Sequence, residues 1–180
     1  MEAAIDTRCL EVFPAWLRAL ADDARALLKL LEVSEELTLG QAAARALVYL
    51  TQSLDLIADG LEELGYLDDA FVLRFAAAAV PESERALDPS GLMTRLAEEA
   101  ELLAAFLGPD DTERFRQFVA GLGALTARGR SVAQVLEEPE VRDALARDVR
   151  AWAETYPVPT FTRDAKTLVK VRAFLRTKLP

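Results

Sequence analysis

The chain has 180 residues, of which 52% are hydrophobic and 7% aromatic, and its formal charge of -9 disfavours nucleic acid as a partner. A chain of this length can bury one core without a disulfide or metal staple, and the single cysteine, Cys9, can form no intramolecular disulfide. The absence of histidine removes the commonest general base, the Ser-His and Cys-His pairs and imidazole metal sites.

Apolar residues recur at helical spacing along almost the whole chain, which predicts one all-α domain over residues 1–180. We expect a compact multi-helix bundle of about seven or eight helices with a central apolar helical hairpin. The first long helix is predicted to begin at Pro14, where a missing amide costs nothing. Thr38 with Gln41 forms a capping-box pattern and is predicted to open the second helix.

A short apolar segment over residues 69–80 is predicted to be the central helix. It is apolar nearly all round apart from Arg74, which is typical of a helix surrounded by others. Asp68 is the expected N-cap, with Leu67 and Val72 as a hydrophobic staple, and Pro81 ends the helix.

Proline, glycine and capping residues predict the remaining boundaries. We expect a helix from Asp88-Pro89 to Gly108-Pro109, a stop at Gly129, a capping box at Ser131 and Gln134, a kink or restart at Pro139, and a final helix capped by Thr162.

The sequence shows neither a membrane span nor a signal peptide. Arg45, Arg74 and Arg116 interrupt the apolar stretches before they reach the length of a span. The first residues lack a basic region followed by an apolar one. We therefore expect a bacterial cytoplasmic protein with no transmembrane segment.

The middle of the first half of the chain is rich in carboxylates. Two known cation patterns fail there: an EF-hand loop starting at Asp55 has Ile57 at its third position and Tyr66 at its twelfth, and the paired aspartates lack the third aspartate of terpenoid synthases. The carboxylates are Asp55, Asp59, Glu62, Glu63, Asp68 and Asp69.

Two interpretations of the acidic segment stay open. In the first, the aspartates cap helices: Asp55 a short turn, Asp59 with Glu62 as a capping box, and Asp68 with Asp69 at the next helix. In the second, Asp55, Asp59, Asp68 and Asp69 supply oxygen ligands to a divalent cation or small ligand. No other cofactor and no catalytic residue is predicted.

Residues 44–80 resemble the YkvA-like family, a bacterial domain of unknown function. The resemblance lies in Tyr49, in a Ser-Leu-Asp-Leu-Ile-Ala-Asp run over residues 53–59, and in a Gly-Tyr-Leu-Asp-Asp run over residues 65–69. Ser53 and Ala58 stand where the family pattern has prolines. The resemblance implies a helical hairpin, and some members of the family are membrane-associated.

The last twenty-one residues are basic, with six Lys or Arg residues against Asp164 alone. A cationic amphipathic helix over residues 160–180 could present Lys166, Lys170, Arg172 and Arg176 to a partner or to anionic lipid. The alternative is that the helix packs on its own acidic bundle.

These observations favour a non-enzymatic helical interaction or scaffold protein, whose partner would be another protein or a second copy. Two alternatives remain open: a divalent-cation or small-ligand protein that uses the aspartates, with an enzyme included, and peripheral membrane association through the basic helix.

Overall fold

The computed structural model describes residues 2–52, 55–61 and 63–180. Within those ranges, nine α-helices form almost all of the regular structure, which confirms the predicted all-α bundle. The helices are α1 Glu2–Val33, α2 Leu37–Leu50, α3 Leu67–Ala78, α4 Glu82–Arg85, α5 Leu92–Leu107, α6 Pro109–Gly121, α7 Val132–Glu137, α8 Pro139–Thr155 and α9 Ala165–Lys178. A 3-10 turn, Leu122–Ala124, precedes a two-stranded antiparallel hairpin of β1 Thr126–Ala127 and β2 Arg130–Ser131.

Helix α1 contains Pro14 in its interior, so the predicted start at this residue is wrong. An internal proline removes one helical hydrogen bond and strains the preceding turn. Cys9 and Phe13 lie before the proline and are completely buried. Both side chains belong to the part of α1 before the proline, and the apolar area that they bury favours a helix that continues through it.

Helix α3 is the centre of the bundle, as predicted. Eleven of its twelve residues are buried, and it packs against α1, α2, α5 and α6. Arg74 is accommodated inside the core because its guanidinium lies 2.6 Å from Glu99 and 3.9 Å from the centre of the Trp16 ring.

Two predicted helix starts in the first half are wrong. Helix α2 begins at Leu37, one residue before Thr38, whose hydroxyl donates a hydrogen bond to Glu84 instead of capping the helix. Helix α3 begins at Leu67, so Asp68 and Asp69 both lie in its first turn and Tyr66 takes the N-cap position.

Two of the later boundaries are confirmed. Helix α5 ends at Leu107, just before Gly108-Pro109, and Ser131 with Gln134 forms the predicted capping box of α7. Pro139 is the first residue of α8, so it restarts the chain rather than kinking a helix.

The predicted stop at Gly129 is wrong, because α6 already ends at Gly121, and two other later starts also differ from the prediction. Helix α5 begins at Leu92, although a carboxylate oxygen of Asp88 still accepts the Met93 amide at 3.0 Å. The N-cap of α9 is Asp164 instead of Thr162, because the Asp164 carboxylate accepts the Lys166 amide at 2.9 Å.

Over the described ranges, every helix is too short or too polar to cross a lipid bilayer.

Candidate functional site

Tyr49 and Asp68 attach the loop between α2 and α3 to both helices. The Tyr49 hydroxyl donates to Oδ2 of Asp68 at 2.5 Å and accepts the Leu56 amide at 2.9 Å. The Ile57 amide donates to the same Asp68 oxygen at 3.0 Å. Because these bonds hold the loop on the start of α3, Asp55 is placed beside the first turn of that helix.

Gly65 brings Asp59 to the same place. Its amide donates to the Leu61 carbonyl at 2.8 Å, and a Cβ at this position would clash with the Asp59 carbonyl oxygen. Only glycine allows so close an approach of the two backbone segments. Tyr66 follows in a left-handed conformation, with φ of 64°, and directs the chain into α3.

Asp68 and Asp69 are buried carboxylates with incomplete hydrogen bonding. Asp68 is 0% exposed and Asp69 is 1% exposed. Oδ1 of Asp68 and Oδ2 of Asp69 have no hydrogen-bond partner within the described parts of the chain. A buried polar atom without a partner carries the full cost of its lost hydration, and a charged one costs more.

The same environment raises the pKa values of both residues. Burial raises the pKa of Asp68, although hydrogen bonds from Tyr49, from Ile57 and from the first amides of α3 act in the opposite direction. Burial, followed by the charges of Asp68, Asp55 and Asp59, raises the pKa of Asp69 well above its ordinary value. The four predicted aspartates therefore form one electrostatic unit, which we call the acidic cluster.

The two loop aspartates take part in the cluster as well. Burial and the charges of Asp59 and Asp68 raise the pKa of Asp55 to about 7. Burial and the charge of Asp68 raise the pKa of Asp59 to about 6. Among the described residues, no lysine or arginine forms an ion pair with any of the four aspartates. Within the described residues, the amides at the start of α3 are therefore the main groups that offset the negative charge of the cluster.

Three aromatic side chains flank the cluster. The Tyr66 ring lies 5.0 Å from Tyr156 and 6.1 Å from Trp152, measured between ring centres. Burial and the charges of Asp59, Asp69 and Asp55 raise the pKa of Tyr66. Sequence reasoning missed Trp152, in α8, and Tyr156, the C-cap of α8, as neighbours of the site because they lie far along the chain and no local pattern connects them to the loop.

The acidic side chains are not preorganised as the ligands of a metal ion in the described structure. Within the described ranges, no group of three or more acidic or cysteine side chains is arranged to hold a metal ion. Glu62, the predicted capping-box partner of Asp59, lies outside the described residues, as does Ser53. Any ion at the cluster must therefore use fewer direct protein ligands, or side chains that rotate towards it.

The predicted basic surface is largely engaged with the bundle itself. Arg172 forms an ion pair with Asp6 at 2.5 Å, Arg176 with Asp111 at 3.2 Å, and Lys170 with Glu63 at 3.2 Å. Lys166 is exposed. The apolar side of α9 is buried, as the packing alternative expects, through Leu168, Val171 and Leu175.

Comparison of the chain with protein-family models, with curated proteins and with solved structures finds no match. The resemblance of residues 44–80 to the YkvA-like family stays a prediction.

Proposed function

We propose that this protein binds a hydrated divalent cation at the acidic cluster. The observation that carries the proposal is the Asp69 carboxylate, which is buried, lacks a partner at Oδ2, and has three other aspartates as its main charged neighbours. A bound cation supplies the missing positive charge and a partner for the bare oxygens of Asp68 and Asp69.

The chemistry of the cluster fits a hard cation. Carboxylate oxygens are preferred by Mg²⁺ and Ca²⁺, and Mg²⁺ usually keeps several waters while one or two carboxylates hold it. Such an ion does not require three protein ligands in place beforehand. Asp69 and Asp68 would hold it from the first turn of α3, whereas Asp55 and Asp59 would contact it directly or through its waters.

Other predictions form part of the same proposal. Membership of the YkvA-like family is supported by the physical unit that Tyr49, Gly65 and the aspartates form, since all of them act on one cluster. A cytoplasmic location is part of the proposal because Cys9, the single cysteine of the sequence, is a free thiol, as is usual in a reducing compartment. The interaction or scaffold hypothesis stays a prediction that concerns other surfaces.

Calorimetric titration with Mg²⁺, Mn²⁺ and Ca²⁺ tests the proposal. We expect saturable binding of at least one ion to the wild-type protein and loss of this binding in Asp69→Asn. Asp110→Asn is the matched control, because Asp110 also lies in the first turn of a helix, α6, but is exposed. If the wild-type protein shows no heat of binding with any of the three ions, the proposal is wrong and the scaffold hypothesis is favoured. Equal loss of binding in both variants would place the ion elsewhere.

A further inference from the structure

A cavity of about 440 Å³ lies next to the acidic cluster. Asp59, Glu63 and Tyr66 line it, together with four residues of the segment that joins α8 to α9: Pro157, Pro159, Thr160 and Thr162. This volume falls in the range of small-ligand sites. Asp59 is the one member of the acidic cluster that lines the cavity in the described part of the chain.

The lining of the cavity is rich in hydrogen-bond acceptors. When ionised, the carboxylates of Asp59 and Glu63 can accept hydrogen bonds but cannot donate them. Pro157 and Pro159 have no backbone N–H to donate. No lysine or arginine lines the cavity in the described part of the chain. A free anion would therefore be repelled, whereas a primary ammonium group, which has three donors and no acceptor, complements this lining.

We propose that the cavity binds a small aliphatic primary amine, with the ammonium group between the Asp59 carboxylate and the Tyr66 ring. Tyr66 is held in place by contacts with Trp152 and Tyr156. A cation over a tyrosine face is attracted by the ring quadrupole. Glu63 and Tyr66 both adopt left-handed backbone conformations, with φ of 73° and 64°, so two of the lining side chains are positioned at the expense of local strain.

The rim of the cavity already binds an alkylammonium group of the chain itself. Nζ of Lys170 lies 3.2 Å from Oε2 of Glu63, and the Thr162 hydroxyl donates to Oε1 of Glu63 at 2.7 Å. The Lys170 side chain thus competes with an external amine for one of the two lining carboxylates. This competition gives a test in which a substitution strengthens binding.

The test is calorimetric titration with diaminobutane in the presence of a chelator, so its result does not depend on metal binding. Butanediol is the neutral comparison, because it has the same length without the ammonium groups. We expect diaminobutane to bind and butanediol not to bind. Asp59→Asn should weaken the affinity at least about tenfold through loss of a charge-assisted hydrogen bond. Lys170→Met should strengthen it severalfold because Glu63 loses its ion pair with Lys170 and keeps only the hydrogen bond from Thr162.

Glu101→Gln, an exposed substitution on α5 with the same change in charge, should leave the affinity for diaminobutane unchanged. Thermal unfolding of each variant shows whether it is folded. If neither the wild-type protein nor Lys170→Met binds diaminobutane, the amine site is overturned. Binding that Asp59→Asn leaves intact would overturn it as well. Either result is compatible with cation binding at Asp69, so the two proposals can fail separately.

Discussion

The Tyr49 hydroxyl and Oδ2 of Asp68 lie 2.5 Å apart inside the core, where helix α2 meets the start of α3. Both groups are completely buried, and each also holds one amide of the loop, Leu56 on the hydroxyl and Ile57 on the carboxylate. Burial and the nearby charges of Asp68 and Asp69 raise the pKa of Tyr49, so the phenol stays protonated and remains a donor. This pair is the structural anchor of the acidic cluster.

Replacing Tyr49 with Phe should lower the free energy of unfolding by about 2–3 kcal/mol, because the buried carboxylate loses a charge-assisted donor and the Leu56 amide loses its acceptor. Tyr156→Phe is the matched control. Its hydroxyl makes one hydrogen bond, to the Leu17 carbonyl at 2.8 Å, so a loss of about 1 kcal/mol is expected. Urea unfolding of the two variants measures the difference. Equal losses would show that Tyr49 does not anchor the loop.

Asp69→Asn should stabilise the metal-free protein while removing its response to cations. The amide side chain has nearly the same shape but no charge, so the repulsion from Asp68, Asp55 and Asp59 disappears. We expect the free energy of unfolding in chelator to rise by about 1–2 kcal/mol near neutral pH. Thermal unfolding with and without Mg²⁺ provides the measurement. A variant that is less stable than the wild type in chelator would show that the charge of Asp69 serves the fold.

The metal-free protein should lose stability as the pH rises from about 4 to about 7. The folded pKa values of Asp55 and Asp59, about 7 and about 6, lie above the ordinary value of 3.8. In this window the folded state binds more protons than the unfolded chain, so the free energy of unfolding falls with increasing pH. Asp68 and Asp69 shift in the same direction, and Tyr49, Tyr66 and Tyr156 around them stay neutral.

Urea unfolding at several pH values in chelator measures this dependence, and repetition with Mg²⁺ should flatten it because the ion takes the place of the protons. Stability that increases over the same window in chelator would contradict the raised pKa values.

Patterns that act within one helix were sufficient to predict much of the fold. The small apolar residues around Arg74 predicted a central helix because only a helix buried on all sides can be apolar all round. Ser131 with Gln134 predicted the start of α7 because a capping box is complete within four residues. The helix start predicted at Pro14 is wrong because the helix continues through the proline, where buried Cys9 and Phe13 favour it. The spacing of residues in the sequence does not reveal this packing.

The candidate site was only partly predictable for a related reason. Asp55, Asp59, Asp68 and Asp69 were recognised by their chemistry, but aspartates that cap helices and aspartates that converge have the same local spacing. Their convergence depends on Tyr49 and Gly65, which act through tertiary contacts. No sequence pattern near Trp152, which flanks the site from α8, indicates that it lies beside the aspartates.

Gly65→Ala should destabilise the protein and disturb the acidic cluster together. An added Cβ would clash with the Asp59 carbonyl, so the loop must move away from the start of α3. We expect a loss of at least about 2 kcal/mol in the free energy of unfolding, as for other overpacked sites, and weaker binding of Mg²⁺. Gly60→Ala is the matched control, because Gly60 lies in the same loop and a Cβ there would meet open space. Urea unfolding and calorimetry of both variants distinguish the two positions. If Gly65→Ala binds the ion as tightly as Gly60→Ala does, the position of Asp59 does not matter to the cation, and the ion is held by the helix start alone.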